Sequence, residues 1–160
     1  MYYTTFESPL GPLLLASCER GLSLISFSAS KRAVPLRPDW EKDEAPFAET
    51  ISQLREYFHG NLRDFDLQLA PEGTPFQLRV CELLREIPFG ETISYGELAR
   101  RVGDPKSARA VGLANGSNPI PIIIPCHRVI GSNGKLVGYG GGLEIKEKLL
   151  ALESQQMRLL

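Results

Sequence analysis

Short, largely apolar segments separated by turn residues predict strands in the first third of the chain. These segments cover residues 2–6, 13–17 and 22–27, with turns at residues 9–12 and at Gly21. This arrangement is typical of an antiparallel meander. Residues 65–69 alternate between apolar and polar side chains and predict a further strand, whereas residues 28–46 carry prolines and charges without a period and predict a long loop.

Helical spacing of apolar residues then becomes the main pattern. Thr74 supplies an N-cap, Pro75 the first helical position and Gln77 a capping-box glutamine, and Ser94 with Glu97 repeats the capping box. Apolar stripes at helical spacing lie at Phe47, Ile51, Leu54 and Phe58, at Phe76, Val80, Leu83, Leu84 and Ile87, and at Ile145, Leu149, Leu150 and Leu152. These patterns predict three amphipathic helices.

Two short helices are predicted on either side of Gly103. The first begins at Ser94 and the second opens with Asp104 and Pro105. The pair predicts a helix-turn-helix, although two simply packed helices explain the pattern as well. A turn at residues 131–134 predicts a small hairpin over residues 129–137. The fold class is therefore α+β: an N-terminal antiparallel-sheet α/β domain over residues 1–71 and a mostly helical domain over residues 72–160.

Charge is unevenly distributed along a chain whose net charge is only -1. Residues 40–73 are acidic, whereas residues 105–143 contain no Asp or Glu and carry four cations, Lys106, Arg109, Arg128 and Lys135. Bulk charge alone does not suggest nucleic acid, but this polarity allows one cationic face. The sequence has neither a membrane span nor a signal-peptide pattern, so we expect a cytoplasmic protein without membrane contact.

The three cysteines, Cys18, Cys81 and Cys126, are widely spaced and suggest neither disulfides nor a metal site. Cys126 is followed by His127 and Arg128, and cationic or titratable neighbours favour the reactive thiolate. A buried structural cysteine beside a core histidine is the alternative interpretation of this pair alone.

The residues around Cys126 resemble the active-site signature of the O6-alkylguanine-DNA alkyltransferases, the methylated-DNA–protein-cysteine methyltransferases. The resemblance is carried by residues 124–130, which read IPCHRVI, and by residues 8–13, 93–99, 108–112, 114–115, 118–119, 138–139, 141–142 and 146–147, continuing to Glu153. It covers most of the C-terminal half with matching spacings. The family implies a ribonuclease H-like N-terminal domain and direct, stoichiometric repair of O6-alkylguanine, with O4-alkylthymine a further expected substrate.

The resemblance assigns a catalytic role to five residues. Cys126 would accept the alkyl group, and His127, linked to it through a water and oriented by Glu153, would take the thiol proton. Tyr95 would donate to the departing guanine, and Asn118 would tie the helix-turn-helix to the cysteine loop. From the residues alone, Glu153 is a solvated charge at a helix end, Tyr95 a neighbour of the helix cap and Asn118 a helix C-cap.

The family also flips the damaged base out of the duplex, with a recognition helix in the minor groove. Arg109 would fill the gap in the duplex, although a solvated cation is the simpler interpretation. The other expected DNA contacts are Ala108, Ala110, Lys106 and Arg128. The expected pocket residues are Pro121, Val129, Ser132, Tyr139, Gly140, Gly141 and Lys146. The partner is double-stranded DNA with alkylated bases; we expect a monomer in solution, and clustering along DNA stays open.

Two departures and two competing functions complete the prediction. Cys81 stands where relatives often carry a large aromatic, and Cys18 with His59 does not reproduce the zinc ligands of some relatives, so neither a metal nor a cofactor is expected. A helix-turn-helix regulator or non-repairing damage sensor would lack the cysteine of the motif. A cysteine hydrolase would turn over repeatedly and would leave the helix-turn-helix without a role.

Overall fold

The computed structural model describes residues 1–134, 136, 138–139 and 141–158. Its N-terminal sheet begins with the predicted meander: β1 (Tyr2–Ser8), β2 (Gly11–Cys18) and β3 (Gly21–Phe27) pair antiparallel. A two-residue strand from the predicted loop, β4 (Glu41–Lys42), pairs parallel to β1 and gives the order β3-β2-β1-β4. Helix α1 (Ala48–Phe58) follows a short 3-10 turn, and Ile51, Leu54 and Tyr57 are buried on it.

The strand predicted at residues 65–69 is wrong. This segment makes only an isolated parallel bridge between Leu22 and Leu69, with Leu22 N donating to the Gln68 oxygen at 3.0 Å. Further along β3, Ile25 N donates to the carbonyl of Pro119 at 2.9 Å. Two different parts of the chain therefore share the outer edge of β3, and neither pairs over enough residues to form a strand.

The C-terminal part contains α2 (Pro75–Arg85), α3 (Tyr95–Val102), α4 (Ala108–Gly116) and α5 (Leu143–Arg158). The capping box at Thr74 is confirmed in both directions, whereas at Ser94 only the bond from Glu97 N to the serine hydroxyl forms. Gly103 ends α3 in the left-handed conformation with φ 105°, which favours glycine. Helices α3 and α4 form the predicted helix-turn-helix pair.

Only part of the hairpin predicted over residues 129–137 falls on described residues. The turn exists, with Gly134 N donating to the Gly131 oxygen at 2.9 Å. However, β6 (Val129–Ile130) pairs in parallel with β5 (Ile93–Ser94), directly before α3. Val137 lies outside the described residues. This short ladder fixes the segment after Cys126 beside the start of the helix-turn-helix.

One continuous apolar core extends from the sheet to the C-terminal helices and crosses the predicted boundary near residue 71. The chain between α4 and Cys126 runs through it, with residues 120–125 all buried. In this segment Ile122 has φ 75°, the one positive φ of a non-glycine residue in the described part of the chain. For a β-branched residue this conformation is strained, at a cost of about 1 to 3 kcal/mol. None of the described helices has the length and apolar character that a bilayer crossing requires.

Candidate active site

Cys126 lies at a cavity of about 310 Å³ between the two halves of the molecule. The walls include Pro121, Tyr139 and Gly141 from the C-terminal half and Phe27 from β3. A Cβ on Gly141 would lie 2.7 Å from the Phe27 ring, so this close approach of the two halves requires glycine. The cavity is therefore an interdomain feature that neither half builds alone.

Two asparagines hold the turn that carries Cys126. The Asn118 side chain donates to the Ile124 carbonyl at 2.7 Å and accepts from Ile120 N at 3.0 Å. Asn115 Nδ2 donates to the carbonyl of Cys126 at 3.3 Å. Since both side chains come from α4 or the residues just after it, the position of this helix and that of the thiol are mechanically linked.

Behind Cys126, His127 and Glu153 form a buried pair. The His127 Nε2 atom lies 2.7 Å from Oε2 of Glu153, and the side chains are 0% and 1% exposed. Although burial opposes ionisation, hydrogen bonds and charge from His127 and Arg128 lower the pKa of Glu153 to about 2. Glu153 is thus an ionised acceptor, so Nε2 carries the donated proton and Nδ1 keeps its lone pair.

Arg128 belongs to this buried cluster and not to a DNA-binding face, which corrects our sequence-based prediction. Its Nε and Nη2 atoms donate to Glu153 at 2.8 and 3.1 Å, and Nη1 donates to the carbonyl of Ile87 at 2.7 Å. With the side chain only 7% exposed, its guanidinium is committed inside the protein. In sequence Arg128 looks like a surface charge because its partner, Glu153, is distant along the chain.

Tyr57 completes the cluster and was missed by the sequence analysis. Its hydroxyl donates to Oε2 of Glu153 at 2.6 Å, although the residues are 96 positions apart. The sequence shows only a tyrosine next to Phe58 in an amphipathic stripe, and Phe58 was chosen for the buried face. A shift of the stripe by one residue, about 100° around the helix, places Tyr57 inward and was the available signal.

The cysteine thiol is neutral at rest. Burial raises the pKa of Cys126, while interactions with Asn118, Lys146 and Tyr139 oppose this effect. Burial also lowers the pKa of His127 against the pull of Glu153, so the imidazole is neutral too. A neutral thiol and a neutral imidazole with a free lone pair are the starting state for base-assisted thiolate formation.

Lys146 and Tyr95 lie on the other side of the thiol. The ammonium group of Lys146 is buried and donates to the carbonyl of Val129 at 2.6 Å. It lies 5.8 Å from the centroid of the Tyr95 ring. Burial raises the pKa of Tyr95, so its hydroxyl remains a proton donor.

The structure divides the predicted pocket residues into three groups. Pro121, Tyr139 and Gly141 line the cavity at Cys126. Val129 is buried and contributes its carbonyl to Lys146, whereas the Ser132 side chain is exposed on the turn. Gly140 lies outside the described residues.

Helix α4 presents an exposed surface next to the cavity. Lys106, Arg109 and Ala110 are exposed, and Ala108 is half-buried. Leu113 on the same helix is 70% exposed, an unusual value for leucine. A second cavity, of about 660 Å³, is lined by Leu113, Tyr95 and Tyr139 together with Arg32 and Leu143, among others.

The remaining cysteines do not join the site chemistry. Cys81 is buried in α2, where burial raises its pKa to about 11. Cys18 lies at the end of β2 with Ser23 Oγ donating to its sulfur at 3.3 Å. Among the described residues there is no group of His, Cys, Asp and Glu that could hold a metal ion.

Comparison with known proteins matches both halves of the chain. The family model described as "6-O-methylguanine DNA methyltransferase, ribonuclease-like domain" matches residues 1–71, and that described as "6-O-methylguanine DNA methyltransferase, DNA binding domain" matches residues 75–155. A methylated-DNA–protein-cysteine methyltransferase of Methanosarcina acetivorans is 56% identical over 153 residues, covering 96% of this chain and 98% of the relative. One from Mycobacterium tuberculosis is 50% identical over 157 residues, covering 98% and 94%.

Solved structures agree with these matches. The M. tuberculosis protein OGT in complex with DNA superposes with a TM-score of 0.91 at 49% identity, covering 98% of this chain and 94% of that one. An O6-methylguanine-DNA methyltransferase from Pyrococcus kodakaraensis gives a TM-score of 0.65 at 28% identity, covering 95% and 98%. The chain therefore belongs to the 6-O-methylguanine DNA methyltransferase family.

Proposed function

We propose that this protein repairs DNA by transferring the alkyl group of O6-alkylguanine directly to the sulfur of Cys126. The observation that carries the proposal is the buried Cys126–His127–Glu153 arrangement, which opens into a cavity beside the exposed surface of α4. A cysteine that served only to fill the core would need neither an oriented base nor an opening to solvent. Family membership supplies the substrate class.

The first chemical step is thiolate formation. Glu153 accepts from Nε2 of His127, so Nδ1 can take the thiol proton, with a water completing the link as the family resemblance implies. The Lys146 ammonium then stabilises the thiolate electrostatically. The imidazolium that forms is stabilised by the ionised Glu153.

Alkyl transfer then forms one bond and breaks one. The Cys126 sulfur attacks the alkyl carbon, a carbon–sulfur bond forms, and the bonding electrons of the carbon–O6 bond return to the guanine. Tyr95, which is protonated before the transfer, gives its hydroxyl proton to the departing base so that it leaves as a neutral species, and the proton that His127 took from the thiol balances the charge of the resulting phenolate. Asn118 keeps the sulfur in register with α4 during this step.

Access to the alkyl carbon requires the damaged base to leave the duplex. In our proposal α4 enters the minor groove, Ala108 and Ala110 allow close approach, and Arg109 occupies the gap. Lys106 contacts the phosphate backbone, and the flipped base is held among Pro121, Tyr139 and Gly141, with Val129, Gly140 and Ser132 completing the pocket. O4-alkylthymine is a second substrate in this scheme.

The proposed partner is double-stranded DNA that contains alkylated bases, and the proposed location is the cytoplasm. The protein acts as a monomer in solution. Clustering of several copies along one duplex remains an open extension of the proposal.

Intact mass spectrometry with an O6-methylguanine duplex tests the acceptor. The protein should gain one methyl group, mapped to Cys126, and Cys126→Ala should gain none while still binding the duplex. Cys81→Ala is the matched control because it removes another buried thiol, and it should still be methylated. Methyl on the Cys126→Ala protein would show that the acceptor has been assigned wrongly.

Repair should also stop after one event per molecule. The thioether formed on Cys126 has no good leaving group, so His127 and water cannot regenerate the thiol. Product should rise to one equivalent and stay there when fresh substrate is added. Sustained turnover would instead identify a hydrolase-like mechanism.

A further inference from the structure

Helix α1 of the N-terminal half reaches the reaction centre through Tyr57. The Tyr57 ring is 1% exposed, and three other rings contact it: Phe58 and Phe65 at 5.3 Å and Phe89 at 6.3 Å between centroids. These contacts fix the ring, so the hydroxyl has a defined position against Glu153. A tyrosine that only filled space would not need this hydroxyl.

We propose that Tyr57 is a positioning residue for alkyl transfer: its hydroxyl fixes Oε2 of Glu153 against Nε2 of His127, which leaves Nδ1 as the base for Cys126. This inference rests on the proposed function. It makes the N-terminal half a working part of the reaction centre, in addition to forming a wall of the cavity.

The hydrogen-bond geometry supports this role. Oε1 of Glu153 is occupied by Nε of Arg128 at 2.8 Å. Oε2 accepts from the Tyr57 hydroxyl at 2.6 Å, from His127 at 2.7 Å and from Nη2 of Arg128 at 3.1 Å. The hydroxyl and Arg128 thus hold the carboxylate from two sides, and His127 receives one fixed lone pair.

Ionisation is consistent with a donating hydroxyl. Burial, reinforced by the Glu153 charge, raises the pKa of Tyr57 well above its ordinary value. The charged groups that act on His127 are Glu153 and Lys146 from α5 and Arg128 from its own turn, while Tyr57 is the titratable group that faces the cluster from α1. Tyr57 therefore shares with Arg128 the carboxylate charge that acts on His127.

Tyr57→Phe removes the donor and retains the ring. We expect transfer to a methylated duplex to slow by about tenfold, the order of one hydrogen bond to a charged group. Because more carboxylate charge would face the imidazole, His127 should become protonated at higher pH. The loss of transfer rate on acidification should move to higher pH in the same direction.

Nitrogen-15 NMR of the imidazoles provides a readout that a packing defect would not change. The chain has only 2 histidines, and exposed His59 serves as the internal reference. In the natural protein His127 should be the Nε2–H tautomer, and Tyr57→Phe should change its titration. Phe65→Leu, which disturbs the same ring without touching Glu153, is the packing control and should leave the His127 titration unchanged.

The outcomes separate the two proposals. Tyr57→Phe with the natural pH profile and His127 titration, or Phe65→Leu with the same changes as Tyr57→Phe, would overturn the positioning role. If the natural protein transfers no methyl group, the proposed function fails, and the NMR comparison still tests the link between Tyr57 and His127.

Discussion

The carboxylates of Glu153 and Glu97 both contact arginine side chains, but their surroundings differ. Glu153 on α5 is buried and takes its partners from α1 and from the turn that carries Cys126, both distant along the chain. Glu97 lies on α3 and pairs with Arg100 and Arg101 within one helical turn, with its side chain 37% exposed. Buried pairs lose hydration and depend on complete partnership, whereas exposed pairs have water as a substitute.

The same contrast separates the reaction centre from the surface of α4. Around Glu153 both carboxylate oxygens already have hydrogen-bond partners within the protein, so the base is oriented before any substrate arrives. Arg109 on α4 and Lys106 in the turn before it are exposed, so both are available for contact with a partner. A preorganised reaction centre and an adaptable surface suit a protein that must bind damaged DNA in any sequence context.

Glu153→Gln should produce the largest effect. It would leave Arg128 and the His127 site without their anion, and breaking a buried pair costs about 3 to 5 kcal/mol. We expect a loss of this order in the free energy of unfolding in urea, together with loss of methyl transfer. Glu97→Gln, the matched change at the exposed pair, should have a much smaller effect, because water replaces the lost carboxylate. Equal losses of unfolding free energy for Glu153→Gln and Glu97→Gln would contradict the contrast between the buried and the exposed carboxylate.

The second-largest effect should come from acid, which weakens the buried cluster around Glu153. The folded-state pKa of Glu153 is lowered to about 2 from an ordinary 4.5, so the stability it contributes is present above pH 4.5 and is lost as pH falls toward 2. At about 1.4 kcal/mol per pKa unit, the contribution is on the order of 3 kcal/mol. His127 acts in the same direction below its ordinary 6.5, because burial favours its neutral form.

Unfolding free energies measured between pH 7 and pH 3 check this prediction. The natural protein should lose stability over this range, and Glu153→Gln should show a flatter curve because the titrating carboxylate is gone. Parallel curves for the two proteins would show that acid acts on other groups.

Arg109→Ala should leave stability within about 0.5 kcal/mol of the natural protein, as expected for an exposed side chain. Repair of a duplex should slow by about tenfold, because the extruded state loses the side chain that fills the gap, whereas transfer from the free modified base should be unchanged. The measurement compares the transfer rates on the duplex and on the free modified base. The same loss on the free base would move Arg109 from the DNA surface to the reaction centre.

Lys106→Ala should give the smallest effect. Each phosphate contact contributes about -0.9 to the log-log slope of DNA affinity against salt, so the variant should lose about one such contact. With Arg128 buried, the cations on this surface are few and the overall slope should be shallow. A slope on the order of -10 for the natural protein would require a much larger footprint than α4 offers.

Local patterns predicted most of the elements, because their causes lie within a few residues. The meander, the capped helix at Thr74 and the break at Gly103 all follow from turns, caps and spacing. The strand predicted at residues 65–69 was wrong because this segment only shares the edge of β3. The parallel pairing of residues 129–130 with β5 was not predicted, because β5 is distant along the chain. A local alternation of apolar and polar residues does not indicate which strand edge is available for pairing.

The site followed the same division. The motif around Cys126 identified His127, and the family resemblance identified Glu153. The residues next to Glu153 in sequence do not suggest that it is buried. Arg128 was placed on the wrong surface and Tyr57 was not identified, since their roles depend on contacts across 25 and 96 positions. Residues whose function is to hold another side chain leave the weakest signal in a single sequence.

The strained backbone at Ile122 is held in place by the burial of its side chain. A glycine there would accept φ 75° and relieve about 1 to 3 kcal/mol of strain, but Ile122 is 1% exposed, and truncating a buried isoleucine even to alanine costs about 2 to 5 kcal/mol. Ile122→Gly should therefore lower the melting temperature although it relieves the strain. The apolar core thus imposes, between Asn118 and Cys126, a backbone conformation that this segment would not adopt by itself.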